Sequence, residues 1–511
     1  MPDYGPDTDK TNDANASPTF CSLLDFDLQR KSPSSNAHSI ITLLGNSIKS
    51  RASDGFDSMD TNVDDSKPTE VFSLHDLAVV DGYSFWLEEA YTNLYFSITH
   101  FMWPLLDCNA WGSWRHDWSL NEKTDPWKGF FVQIVYAIGS LSYNVLQPGQ
   151  NHSKRAADMY SSALAYYPYV MAEASAILQI QASILMIIYS LHCPSSGEIS
   201  MSVSSIVPFC SATLAEVQNR ISSGLDSTLG DTMGRGANLN ELMFITCYML
   251  NEIIVSGWER PVSAAYRVVD DDIHMFSNEI VDVSNTSTAL QHLFRLRKIQ
   301  ANIRRYWDEP TDIQNLNDRS FKLALDEWRK DIPQYSAEEA QRTYLDPLWM
   351  TKLYDYSVII LMQGKRKHLM REDLDDILSA GVEVCLNYRR LQEEDQVMCF
   401  TWSALVFQFR TGILLLYICR SGSLGLDYTQ QAFDAVCACA DSLTCFATRW
   451  QDATPYAKVF YFLLYSASWL PEDLPERLRC ACSFRELEAY LKQLKKQYLH
   501  KEVLAMIEDM V

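Results

Sequence analysis

The sequence predicts an all-α protein, and three observations carry that prediction. Apolar residues recur three and four positions apart over long stretches, which gathers them on one face of a helix. Strand-like alternation is scarce. Clusters of Gly, Pro, Ser and Asn interrupt the periodic stretches at lengths that suit helices. With 511 residues, 47% of them hydrophobic, the chain can bury either one large helical body or two or three modules.

Taken in order, residues 1–70 read as a disordered acidic segment, rich in Ser, Asp, Asn and Thr. Two short apolar stretches stand out there. "TFCSLLDFDL" interleaves Phe20, Leu23, Leu24, Phe26 and Leu28 with Asp25 and Asp27, the pattern of a disordered activation segment or of a short helix packing back. "SIITLLGNSI" is the second.

Residues 71–511 read as an all-helical body of well over a dozen helices. In "YFSITHFMWPLL", Tyr95, Ile98, Met102 and Leu105 fall at helical spacing, and Pro104 marks where that helix stops or bends. "WGSWRHDW", Trp111 to Trp118, reads as a loop, either anchored on the surface by its tryptophans or lining a ligand. Helical periodicity is plain in "AADMYSSALAYYPYVMAEA", "ILQIQASILMIIYSLH", "ELMFITCYMLNEIIVSGW" and "QHLFRLRKIQANIRRYW". "GRGANLNE" reads as a loop leading into a helix capped by Asn238 or Asn240. In "RLRKIQANIRRYW", Leu296, Ile299 and Ile303 form a buried stripe, leaving Arg295, Arg297, Lys298, Arg304 and Arg305 as a solvated face. "KRKHL" from Lys365 is either a nuclear import signal or a set of cations at the negative end of a helix dipole.

Composition narrows the function. A net charge of −22 and a pI near 4.8 have the wrong sign for gripping phosphates, so direct DNA binding is expected to be weak or absent. No run of about 18 apolar residues occurs, so no membrane span is expected. The polar, acidic N-terminus lacks the pattern of a secretory signal. A nuclear or cytoplasmic location with reduced cysteines follows. No C-x-x-C pair occurs, and Cys437 and Cys439 would place their sulfurs about 200° apart on a helix. No metal site is expected. The sequence has no P-loop, H-E-x-x-H, G-x-S-x-G or dinucleotide fingerprint, and no cofactor is implied.

Chemistry-bearing side chains concentrate between Tyr95 and Trp127. Tyr95, His100, His116 and Asp117 are the candidate polar groups. Trp103, Trp111 and Trp114 are the candidate walls of an apolar ligand pocket. Packing of the tryptophans onto the body is the competing reading.

Six segments, in order, resemble the fungal-specific transcription factor domain, the middle homology region of zinc binuclear-cluster regulators. "YFSITHFMWPLLD" is similar to its first segment, and "FFVQIVYAIGSLS" to its second helix, through Ala137 and Gly139. "ILQIQASILMIIYSL" matches its Gln-Ala helix at Gln181 and Ala182. "ELMFITCYMLNEIIVSGWERP" resembles the segment ending in an Arg-Pro turn, at Arg260 and Pro261. "FKLALDEWRKDIP" carries Leu325, Trp328 and Pro333, and "ATRWQDATPYAKVFYFLL" carries Arg449 and Trp450. The likeness spans residues 75 to 470. It departs from the family where "LMFITCYMLNE" replaces an Arg-Arg-x-Phe-Trp text. It departs again in residues 1–74, where Cys21 alone stands against the six cysteines of a zinc cluster.

The resemblance implies an all-α regulatory body serving a gene set such as a secondary-metabolite cluster. DNA contact would come from a DNA-binding partner protein or through a homodimer, with a small apolar metabolite as the other partner. A missed upstream exon carrying the zinc cluster is an alternative. The alternative from a different class is a biosynthetic cyclase or isomerase using a pocket of the same fold, which needs no cofactor.

Overall fold

The structure is a computed structural model. It describes residues 85–121, 124–148, 151–172, 175–193, 233–257, 288–308, 318–336, 344–364, 369–420, 426–466 and 483–511. All of these lie in the second of two units, Pro68–Val511. The acidic N-terminal segment, Lys365 with its basic neighbours, Arg260 and Pro261 lie outside the described residues. The described residues are 87% helical, with no strand. The all-α reading of the sequence therefore stands.

Helix α1, Phe85–Leu94, continues into a π-helical turn, Tyr95–Thr99, and a last turn, His100–Met102. Pro104 ends it, since a residue before proline is pushed out of the helical region. Trp103 accordingly has φ −127 and ψ 76. Helix α2, Cys108–Leu120, contains the whole "WGSWRHDW" stretch, so the expected loop is a helix. Its tryptophans are three, four and seven apart, the spacing of one helical face. Asp107 caps it by accepting from the Ala110 amide at 2.8 Å.

Helix α3, Trp127–Leu146, is the hub of the first half and packs on α1, α2, α4 (His152–Ala172) and α5 (Ala176–His192). Gly139 is where α1 and α3 touch backbone to backbone; an added Cβ would stand 2.0 Å from the Tyr91 carbonyl oxygen. Beside this crossing, the Tyr91 hydroxyl and His152 Nδ1 are hydrogen-bonded at 2.7 Å, and Ser140 donates to the His152 carbonyl at 2.7 Å. Gln181 of α5 donates from Nε2 to the Leu105 carbonyl at 2.6 Å, tying α5 to the proline-ended seam.

Helix α6, Met233–Gly257, begins before the glycines of "GRGANLNE", so that stretch is helical and not the expected loop. Helices α7, Thr288–Asp308, and α8, Asp318–Lys330, are pinned through Trp328. Its Nε1 donates to the His292 carbonyl at 2.7 Å, and its ring stacks on His292 at 4.3 Å. The remaining helices are α9 (Pro347–Gly364), α10 (Arg371–Glu393), α11 (Trp402–Arg420) and α12 (Leu426–Arg449). They are followed by α13 (Thr454–Tyr465), α14 (Phe484–Lys496) and α15 (Lys501–Met510). Helix α10 packs on α9, α11 and α12, while α5, α6 and α11 meet one another and join the two halves.

One sequence expectation needs correction here. Helices Trp127–Leu146 and Trp402–Arg420 are each long and apolar enough to cross a membrane. Lys128 and Arg410 interrupt any continuous apolar run, yet the average remains apolar. In this body, 78% and 89% of the two apolar windows are buried, so their side chains serve packing.

Candidate functional site

The side chains singled out in the sequence fall into separate places. Tyr95 is fully buried on the π turn, with its ring 5.0 Å from Phe96 and 6.1 Å from His100. Burial pushes its phenol far above the ordinary range. Burial also lowers His100 to about 4, against the opposing pull of Asp107, so its imidazole is neutral at neutral pH. Neither the Tyr95 hydroxyl nor His100 Nδ1 has a hydrogen-bond partner among the described residues.

Helix α2 carries a second group, and its chemistry is packing. Trp111 is buried and donates Nε1 to the Phe131 carbonyl of α3 at 3.1 Å. Trp114 packs 5.2 Å from both Trp127 and Phe131. His116 is exposed, and Asp117 pairs with Lys128 at 2.8 Å, so these neighbours in sequence do not act together. Arg115 lies against the rings of Trp111 and Tyr136 and holds Glu89 at 2.9 Å. Both arrangements fasten α2 to the body.

Trp103 belongs to a different environment. Where Pro104 ends the first helix, its last turn faces a cavity at the seam between the two halves. Measured out to its open mouth the cavity spans about 720 Å³, and little of that is free interior space. Ile98, Thr99, Met102 and Trp103 form one wall. Leu191 and His192 of α5, Ile253 of α6 and Arg297 of α7 form the second. Tyr344, Trp349 and Leu353 continue it, and Tyr388, Val397, Met398, Thr401, Ser403, Ala404 and Phe407 close it. Of the seven sequence candidates, Trp103 alone lines this space.

The cavity wall carries one cation. Arg297 is only 3% exposed, which corrects its placement on a solvated face. Its Nη1 donates to Gln300 Oε1 at 2.7 Å, and Gln300 donates onward to Ser357 Oγ at 2.7 Å. Ser357 in turn donates to the Leu353 carbonyl at 2.7 Å. This relay fixes one edge of the guanidinium. Burial lowers Arg297 to about 10, so it stays charged at neutral pH. The buried carboxylate of Glu252 is held by Arg304 at 3.0 Å. No ion pair to Arg297 occurs among the described residues.

Three further groups stand in the wall or next to it. Lys352 is 1% exposed, and its Nζ lies 3.3 Å from the Trp349 ring centroid and 3.8 Å from that of Tyr388. Burial lowers it to about 7, and Nζ has no hydrogen-bond partner among the described residues. Nζ therefore rests on the faces of two rings that line the cavity, although Lys352 itself does not line it. His192 is lowered to about 4 by burial, helped by Arg449, and is neutral. Thr99, 4% exposed, lines the cavity, and its buried Oγ1 has no partner among the described residues.

Sequence reasoning passed over Arg297 because it sits in a run of cations. The missed signal is positional: Leu293, Leu296 and Gln300 lie four, one and three residues away on the buried face of α7. Among the described residues, no cluster of three or more His, Cys, Asp or Glu could hold a metal ion. Compared with family models, curated proteins and solved structures, the chain matches none.

Proposed function

We propose that this chain is a transcriptional regulator or co-regulator of a fungal gene set, most simply one for a secondary metabolite. In this reading it acts in the nucleus and senses a small molecule in the seam cavity. A DNA-binding partner, or a second copy joined to one, contacts the promoter, because the net charge of −22 opposes unaided DNA binding.

The observation that supports the reading most is the convergence on one cavity. Three of the six segments that carry the family resemblance supply its walls, through Trp103, Leu191 and Ile253. A cavity walled by helices from distant parts of the chain can couple occupancy to their packing, which is what a sensor requires. Fold resemblance alone would not assign function.

Deletion of the gene followed by transcript profiling tests the reading. The expected result is a coordinated fall in one set of transcripts. Unchanged transcripts with accumulation of a single biosynthetic intermediate would overturn it in favour of a cyclase or isomerase.

A further inference from the structure

We propose that the seam cavity binds a small organic acid with an aromatic or apolar body, its carboxylate held by Arg297. The proposal rests on the sensor reading only in taking the cavity as a ligand site; the acid chemistry stands on the wall itself.

A buried guanidinium without a counter-ion is costly, since desolvation penalises charge unless an anion or hydrogen bonds replace water. The fold spends one N–H edge of Arg297 on Gln300 and gives it no direct ion pair among the described residues; the Glu252 carboxylate favours its charge only from a distance. The nearby Glu252 is engaged by Arg304. A planar guanidinium presents donors that match a carboxylate two at a time. Arg297 faces a cavity, so an incoming acid can complete the pair.

A second observation, independent of charge, points the same way. Thr99 also lines the cavity, and its Oγ1 is buried with no hydrogen-bond partner among the described residues. A hydroxyl left unpaired in an apolar wall costs free energy that a ligand oxygen would relieve. Apart from His192, Thr401 and Ser403 the rest of the wall is apolar or aromatic, with Trp103, Trp349 and Phe407 offering ring surfaces to the ligand body. No acidic side chain lines the cavity among the described residues, so nothing there repels an anion. An amine ligand would meet Arg297 without any compensating carboxylate. The limited free space favours a compact body over a long chain.

The test uses the full chain and a panel of aromatic and aliphatic carboxylic acids, each beside its neutral primary amide of equal shape. Binding is read by titration calorimetry and by quenching of tryptophan fluorescence. Acids should bind at least about tenfold tighter than their amides, the margin of a charge-assisted pair over a neutral one. Arg297→Gln should erase that preference, while Arg297→Lys should retain part of it by keeping the charge. The wild-type comparison of acid with amide needs no variant, so a poorly folding substitution leaves the result decisive. Amides binding as tightly as acids would overturn the carboxylate anchor yet leave the sensor reading intact. Binding of no acid at all would overturn the proposal and leave a water-filled cavity. Transcript profiling of the deletion strain would then judge the sensor reading separately.

Discussion

Trp111 shows how one side chain can decide between a pocket and a core. It is 2% exposed and its indole N–H is spent on the Phe131 carbonyl. Trp111→Ala should therefore cost about 3–5 kcal/mol of unfolding free energy by urea titration, as large-to-small core changes do. Trp111→Phe, which keeps a ring but drops the donor and leaves a buried carbonyl short of one bond, should cost about 1 kcal/mol more than a surface control. Trp86→Ala, at 65% exposure, is that control and should be close to neutral. A melting curve unmoved by Trp111→Ala would return this tryptophan to a ligand-lining role. Residue identity was legible here, but burial was not. The tryptophans announced apolar contact without saying with what.

The histidines give the residue scale a pH dependence. His100, His192 and His292 are lowered to about 4, and His500 to about 3, with burial the largest cause in each. Each folded-state value lies below the ordinary histidine value of about 6.5, so the unfolded chain binds more protons between the two. Stability is then fully present above about pH 6.5 and is lost progressively as pH falls toward 4. His500 adds a geometric reason, since its Nδ1 accepts from the Glu502 amide at 3.3 Å and cannot do so when protonated. Equilibrium unfolding between pH 7 and 4 should show this decline, and His500→Gln should make it shallower. A flat profile over that window would contradict the burial of these rings.

At the scale of elements, the first helix and its proline stop were legible, and the reason is local chemistry. Pro104 acts on its neighbours alone, whatever the tertiary setting. Helix α2 was misread because three tryptophans, a glycine and a histidine dilute the helical pattern. Its cap is equally plain in hindsight. Asp107→Ala should cost about 1 kcal/mol by removing the acceptor for the Ala110 amide. Crossing points were not legible, because Gly139 looks like any small residue until α1 is laid across it. Gly139→Ala should cost about 1–3 kcal/mol, since the added methyl must displace the Tyr91 carbonyl. Thermal melting of the two variants, with circular dichroism to confirm helicity, checks both.

At the scale of the whole molecule, the fold class was readable because periodicity is a local signal repeated along the chain. The site was not readable, because it is assembled from segments as far apart as Ile98 and Phe407. Its charged residue was camouflaged among the other cations of α7. The proposed function makes this cavity, through Arg297, the place where the molecule receives its signal. The most direct test is transcript profiling of a strain whose chromosomal copy carries Arg297→Gln, with protein abundance matched to wild type. The expected result is a fall in the same gene set that deletion affects, from a protein that remains folded and present. Transcripts indistinguishable from wild type, beside a clear effect of deletion, would contradict it.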